Sequence, residues 1–284
     1  MTRTLDVDTV TLAGKKLSAD LTAAITDLTV DYTSQSVAQM TLTCLDSGPL
    51  ASSALMVNGT TVTWRGDSWD VGGRTTTRGD DNTIVHTFPC RSPLARKLRK
   101  TYRASAERKV SPSQWVARRV AAAHGTSVCQ ASSKRGIIAQ TTGRNRQSTL
   151  DVIANLASDL GWSWVESGGR LLFGSRHWAW KNTPAGQRTY TVTWGRDART
   201  DALASELTLD DDDAENYGTG TVTVPYPLGR LLRPWDLLHL DDGFGRDRGT
   251  WLIDSLTFTA DGVTPITVQV AQPRRPAKKA GSSS

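Results

Sequence analysis

The most constraining stretch of this sequence is residues 148–174, STLDVIANLASDLGWSWVESGGRLLFG, where each local structural signal carries a mechanism. Ser148 is placed to accept from backbone N–H groups as an N-cap, and Asp151 three residues on completes a capping box. Leu150, Ile153, Leu156 with Ala157, and Leu160 recur on one helical face, with Asn155, Ser158 and Asp159 opposite. Gly161 stands where a left-handed residue ends a helix. Trp162-Ser163-Trp164-Val165 and Arg170-Leu171-Leu172-Phe173 then flank Glu166-Ser167-Gly168-Gly169, the pattern of a hairpin with a short glycine loop. The stretch dictates a helix, a strand, a tight turn and a strand. It is silent about function.

On either side the chain reads as strands. Residues 1–90 contain a strong period-two run, Val37 to Leu45, in which Ala38, Met40, Leu42 and Cys44 share one face. Leu55-Met56-Val57 and Thr61 to Arg65 flank Asn58-Gly59, which predicts a hairpin there, and Gly66-Asp67 turns into Ser68 to Val71. Asn82 to Pro89 closes the region, and the near-regular spacing suggests a small antiparallel barrel or sandwich. Beyond residue 176, Tyr190 to Trp194, Leu203 to Leu209, Tyr217 to Val224, Leu237 to Leu240, Thr250 to Phe258 and Pro265 to Val270 repeat the pattern. The tail after Pro273 is rich in Pro, Lys and Ser and is expected to be disordered. The expected architecture is mainly β with an α+β insert. It divides into a barrel over 1–90, a basic module over 91–175, a second barrel over 176–272 and a tail over 273–284.

Charge separates the insert from its flanks. The net charge of +6 hides a segment, residues 91–150, with fourteen Lys or Arg and a single acid, Glu107. The rest of the chain has twenty basic against twenty-seven acidic residues. Such asymmetry serves nucleic acid or an acidic protein partner; no aromatic interleaving or nucleic-acid motif accompanies it, which favours protein contact. Within the segment, SPLARKLRKTYRASAERK is expected to form one helix with Leu94, Leu98 and Tyr102 toward a core. Ser111-Pro112-Ser113-Gln114 forms a second capping box with proline at the first helical position. Arg96, Lys97, Arg99 and Lys100 are candidate interface residues. Trp178 and Trp180, in the cluster Arg176 to Lys181, are the others: a stacking or interface patch, or one Trp in and one out of a strand.

Chemical signatures are sparse. Cys44, Cys90 and Cys129 are widely spaced and odd in number, so zinc is not expected and free thiols are. G-x-S-x-G, H-E-x-x-H and the phosphate-loop pattern are missing, and Gly243 to Gly249 lies between strands and does not open a helix. Asp210 to Asp213 with Glu215 lacks the alternating ligands of a calcium loop and reads as solvated. No catalytic residue, cofactor or metal is expected. The start, MTRTLDVDTV, has no apolar core of a signal peptide, and no apolar run reaches membrane-spanning length, so a cytosolic origin without membrane insertion is expected.

Two segments together resemble a known family. One is STLDVIANLASDLGW running into SWVESGGRLLFG; the other is the end, WDLLHLDD followed by GTWLIDSLTF and a closing ITVQV. With the N-terminal VTWRGDSWDV, these match in pattern and order the hub proteins of phage tails and baseplates, of the late-control and defective-prophage type. The resemblance implies a homotrimer with two β-barrels per chain, so that three chains present six barrels and adapt a six-fold tail tube to a three-fold tip. It implies a structural, non-enzymatic protein of the virion tail tip, assembled in the bacterial cytoplasm. Its partners would be the tail tube protein, the distal tail protein, the tape-measure terminus and a tip, spike or fibre protein. Nucleic acid would enter only as the passing genome. Many relatives of this kind carry extra peptidase or lysozyme domains, and none is expected in the short tail after Pro273. Two other classes stay open on sequence: a peptidoglycan-degrading tail enzyme with dispersed carboxylates, and a DNA- or glycan-binding module using the basic segment.

Overall fold

The computed structural model describes residues 5, 9–102, 105–133, 135–140, 146–167, 169–193, 202–210, 213–241 and 247–274. The first third forms β1 (Thr11–Leu12), β2 (Lys15–Lys16), α1 (Ala19–Ala24), β3 (Ile25–Thr33), β4 (Gln39–Leu45) and α2 (Gly48–Ala51). These are followed by β5 (Thr61–Trp64), β6 (Asp67–Val71), β7 (Thr75–Arg78) and β8 (Ile84–Arg91). The period-two run becomes β4, with Met40, Leu42 and Cys44 fully buried, and Leu28, Val30 and Tyr32 of β3 face the same core. The Asn58-Gly59 hairpin does not form. Ala54–Met56 is a 3₁₀ turn, and the hairpin joins β5 to β6 through Arg65 and Gly66, both at positive φ (51° and 87°). Gly59 serves a different need: a Cβ there would lie 2.5 Å from the guanidinium of Arg96.

The insert comprises α3 (Pro93–Lys100), β9 (Ser105–Val110), α4 (Pro112–Ala122), β10 (Thr126–Cys129), β11 (Gly136–Gln140), α5 (Thr149–Leu160), β12 (Ser163–Ser167) and β13 (Arg170–Gly174). Both capping boxes are made, at Ser111 with Gln114 and at Ser148 with Asp151, and Gly161 ends α5 in the left-handed region (φ 63°). The expected single basic helix stops at Lys100, and Tyr102 is exposed. From Ser105 the apolar spacing is no longer helical, and the chain pairs as β9 with β11. The β12–β13 hairpin is buried on both faces. Trp164, Leu171 and Phe173 join the insert core with Leu94, Trp115 and Ile153, while Val165 and Leu172 pack on Trp235, Leu237 and Leu252 of the last third.

That last third contains α6 (Arg176–Asn182), β14 (Thr189–Thr193), β15 (Ala204–Leu209), β16 (Asn216–Val224) and α7 (Tyr226–Gly229). β17 (Leu237–Asp241), β18 (Asp247–Thr259) and β19 (Ile266–Pro273) complete it. The segment Arg176 to Lys181, for which a strand is one of the two sequence readings, is the helix α6, nucleated by Ser175, whose Oγ accepts from Trp178 N at 3.1 Å.

Fold class follows the sequence expectation, mainly β with an α+β insert. The closed barrels do not. Among the described residues one open sheet runs β15-β16-β19-β18-β3-β4-β8-β6-β5-β1-β2, with β14–β17 attached at β18 and β7 at β8. The first half of β18 pairs with β17 (Leu237 opposite Leu252), and its second half pairs with β3 (Ser255 opposite Thr33). One strand therefore serves both β regions, and their side chains form one core in which Trp64 and Tyr226 both meet Phe258.

Candidate functional site

Three places gather polar or aromatic side chains. The first is the outer face of α3. Ser92 caps the helix and Pro93 pre-sets its first turn, while Leu94, Ala95 and Leu98 turn inward, so the 3.6-residue period pushes Lys97, Arg99 and Lys100 into solvent. Arg96 is placed differently: half-buried, it pairs with Asp70 at 3.3 Å. Burial and the neighbouring Arg99 hold the Arg91 guanidinium below its ordinary value, so cations crowd here. Arg108 and Lys109 extend the exposed basic surface along β9. Arg118 and Arg119 converge on Glu107, at 3.1 and 2.9 Å, leaving α3 without its help. Such a surface suits an anionic partner.

The second place is the joint between the three thirds of the chain, which sequence reasoning missed. Glu166, on the both-sides-buried hairpin, accepts from Ser92 Oγ at 2.5 Å and from Gly169 N at 3.2 Å. Its carbonyl accepts from Ala38 N, which ties the hairpin to the β3–β4 turn. Burial pushes its carboxyl up to about 7 against the pull of those two donors, and its second oxygen, Oε2, has no hydrogen-bond partner. Close by, Asp67 accepts from Arg233 Nη2 at 2.7 Å and from Tyr32 Oη at 3.1 Å, with the Arg233 guanidinium 4.6 Å from the Tyr32 ring centroid. Asp236 accepts from the backbone N–H groups of Arg188 (2.9 Å) and Arg233 (3.1 Å), and burial pushes it up to about 6. These acids hold segments together. Ser92 belongs to α3's cap, Asp67 to the first third and Arg233 to the last. The local sequence offered no signal, because the partners lie 74 and 166 residues apart.

The third place is a groove of about 960 Å³ between the end of α5, α6 and the end of β19. Trp162, His177 and Trp178 line it, with Asp159 and Arg274. Trp178 lies there half-buried, whereas Trp180 is spent on structure: its indole N–H donates to Thr250 O at 2.7 Å and its ring carries Lys181 Nζ at 3.7 Å. The two tryptophans thus do not form one stacking platform. Among the described residues no cluster of three His, Cys, Asp or Glu is placed to hold a metal ion. Asp213 of the acidic run caps the N–H groups of Glu215 and Asn216; Asp211 and Asp212 lie outside the described residues, as do 242–246 of the glycine-rich loop and the tail from 275.

Set against solved structures, this arrangement has clear counterparts. A 43 kDa tail protein of prophage MuSo2 from Shewanella oneidensis superposes with a TM-score of 0.62 at 12% identity, over 93% of this chain and 97% of that one. The chain has the fold of phage tail proteins. A tail protein from Neisseria meningitidis shares the tail-protein fold with a TM-score of 0.58 at 14% identity, over 93% of this chain and 95% of that one. A type VI secretion component of E. coli, described as structurally similar to T4 bacteriophage tail proteins gp27 and gp5, matches with a TM-score of 0.61 at 13% identity. It covers 94% of this chain and 77% of that one. No family model and no curated sequence matches the chain. At identities this low the likeness is one of fold.

Proposed function

We propose that this chain is a structural hub of a phage or phage-like tail, three copies of which form a ring between a six-fold tail tube and a three-fold tip. The observation that carries the reading is the tail-protein fold over more than nine-tenths of the chain. The shared strand β18 supports it, because two β units welded edge to edge are what a subunit needs to present two tube-like positions in fixed relation. In this reading the units are 1–90 and 176–272, and the insert 91–175 ties them and reaches a neighbour. The partners are the tube protein, a distal tail protein, the tape-measure terminus and a tip protein. The place of action is the tail tip. No enzymatic step is assigned to the chain, since its buried acids are held in structural joints.

The test is co-assembly. Purified chain mixed with tail tube protein is expected to give three-fold rings capping tube ends in negative-stain class averages. A chain that leaves tube ends bare at every ratio overturns the reading. A clear band on a peptidoglycan zymogram, lost on Glu166→Gln, replaces it with the hydrolase alternative.

A further inference from the structure

Among the described residues β15 is a terminal strand of the main sheet, paired with β16 on one side only. Free strand edges in monomeric proteins are blunted by charged side chains, lysine above all, by proline or by a covering element. Residues 202–210 contain neither lysine nor proline, and they leave Leu203 50% and Leu209 73% exposed. The edge is also acidic. Among the described residues, 202–210 and 213–215 hold four carboxylates and no Lys or Arg. Of these, Glu206, Asp210 and Glu215 are exposed, and Arg274 reaches in at one end, where its Nη2 donates to Asp210 O at 3.0 Å.

The complementary surface lies on the same chain. Lys97, Arg99 and Lys100 on α3 are exposed and, among the described residues, make no ion pair. Six strand-to-strand steps separate β15 from β8, which leads into α3. At about 4.8 Å per step that is about 29 Å along the sheet. Among the described residues no ion pair joins Lys97, Arg99 or Lys100 to that edge. Opposite patches at distant points of one chain produce a head-to-tail contact, which closes into a ring when the rotation closes.

We infer that the acidic β15 edge, with Leu203 and Leu209, docks against the basic α3 face of a second copy of this chain. The inference rests on the hub reading for the number of copies and adds the surfaces through which they meet. Exposed leucines supply apolar contact, and the charges supply register and on-rate.

Charge reversal and charge exchange on the full chain, read by sedimentation, test it. The wild-type chain is expected to assemble at about 50 mM salt and to weaken toward about 500 mM as screening rises. Reversal of α3 (Lys97→Glu, Arg99→Glu, Lys100→Glu) or of the edge (Glu206→Lys, Asp210→Lys, Glu215→Lys) is expected to weaken association on the order of a hundredfold, because like charges then face each other. Both sets in one chain restore the complementarity and are expected to restore assembly, which a merely unfolded variant does not do; circular dichroism and tryptophan fluorescence verify folding. Reversed variants that assemble as wild type overturn the inference, as does a folded exchanged chain that stays monomeric. So does salt-sensitive retention of DNA by α3 with assembly unchanged. These outcomes leave the hub reading standing. A wild-type chain that stays monomeric even with tube protein removes the hub reading itself, and the inference with it.

Discussion

Replacing Glu166 with Gln isolates the cost of keeping a carboxyl in the central joint. Its ordinary value is 4.5, and burial raises it to about 7 in the folded chain. Below about pH 4.5 the group is protonated in both folded and unfolded chains, and its ionisation costs nothing. Between about pH 4.5 and 7 the unfolded chain loses the proton while the folded chain keeps it, so stability falls as pH rises. Above about pH 7 both forms are ionised and the loss is constant. At 1.36 kcal/mol per unit the full loss is about 3 kcal/mol. Gln retains the oxygen that accepts from Ser92 and Gly169, and it places an amide where Oε2 has no partner. The protonated carboxyl already presents an unpartnered O–H there, so the amide adds little cost at low pH. Urea unfolding followed by tryptophan fluorescence at about pH 4.5 and about pH 8 reads the difference. E166Q is expected to match wild type at low pH and to gain about 3 kcal/mol on it by high pH. Asp236, raised to about 6, contributes a slope of the same sign to both chains and cancels in the comparison. Parallel pH profiles for the two proteins would refute the assignment of a buried, proton-holding carboxyl to this joint.

Other perturbations follow from single contacts. Ser148→Ala removes the reciprocal cap of α5 and is expected to cost about 1 kcal/mol in the same urea assay. Gly161→Ala meets no atom within 4 Å, so its expected cost of about 1 kcal/mol measures only the left-handed backbone at φ 63°. Trp235→Ala empties a fully buried site shared by the hairpin and the last third, with an expected loss of about 3–5 kcal/mol and a lower thermal midpoint. Cys44 and Cys90, whose thiols burial pushes up to about 12, are expected to resist a thiol reagent at about pH 8 until urea is added.

What could be read from the sequence was local. Ser148 with Asp151, Ser111 with Gln114, and Gly161 act within one turn of backbone, and each is found as expected. The alternation in β4 likewise needs only its own residues and a core on one side. Failures came where a distant contact decided between local options. Asn58-Gly59 and Arg65-Gly66 are both competent turns. The Gly59 N–H bonds Val71 O at 2.7 Å and Arg96 fills the space beside Gly59, so the hairpin closes at the second. Trp178 and Trp180 fit a strand or a surface patch equally on sequence, and the Ser175 cap folds them into a helix. The candidate cations divide for the same reason: Arg96 has Asp70 within reach, while Lys97, Arg99 and Lys100 of the same helix project into solvent. Glu166, Asp67 and Arg233 carry no signature at all, since their roles exist only after three segments meet.

Because β18 carries hydrogen bonds for both β regions along one strand, with a bulge between Ile253 and Ser255 but no loop, little at that seam can absorb a large change of φ and ψ. The two therefore swing together as a rigid lever, and heat or denaturant melts them in one cooperative step. A large rearrangement then has to be taken up at contacts between separate chains.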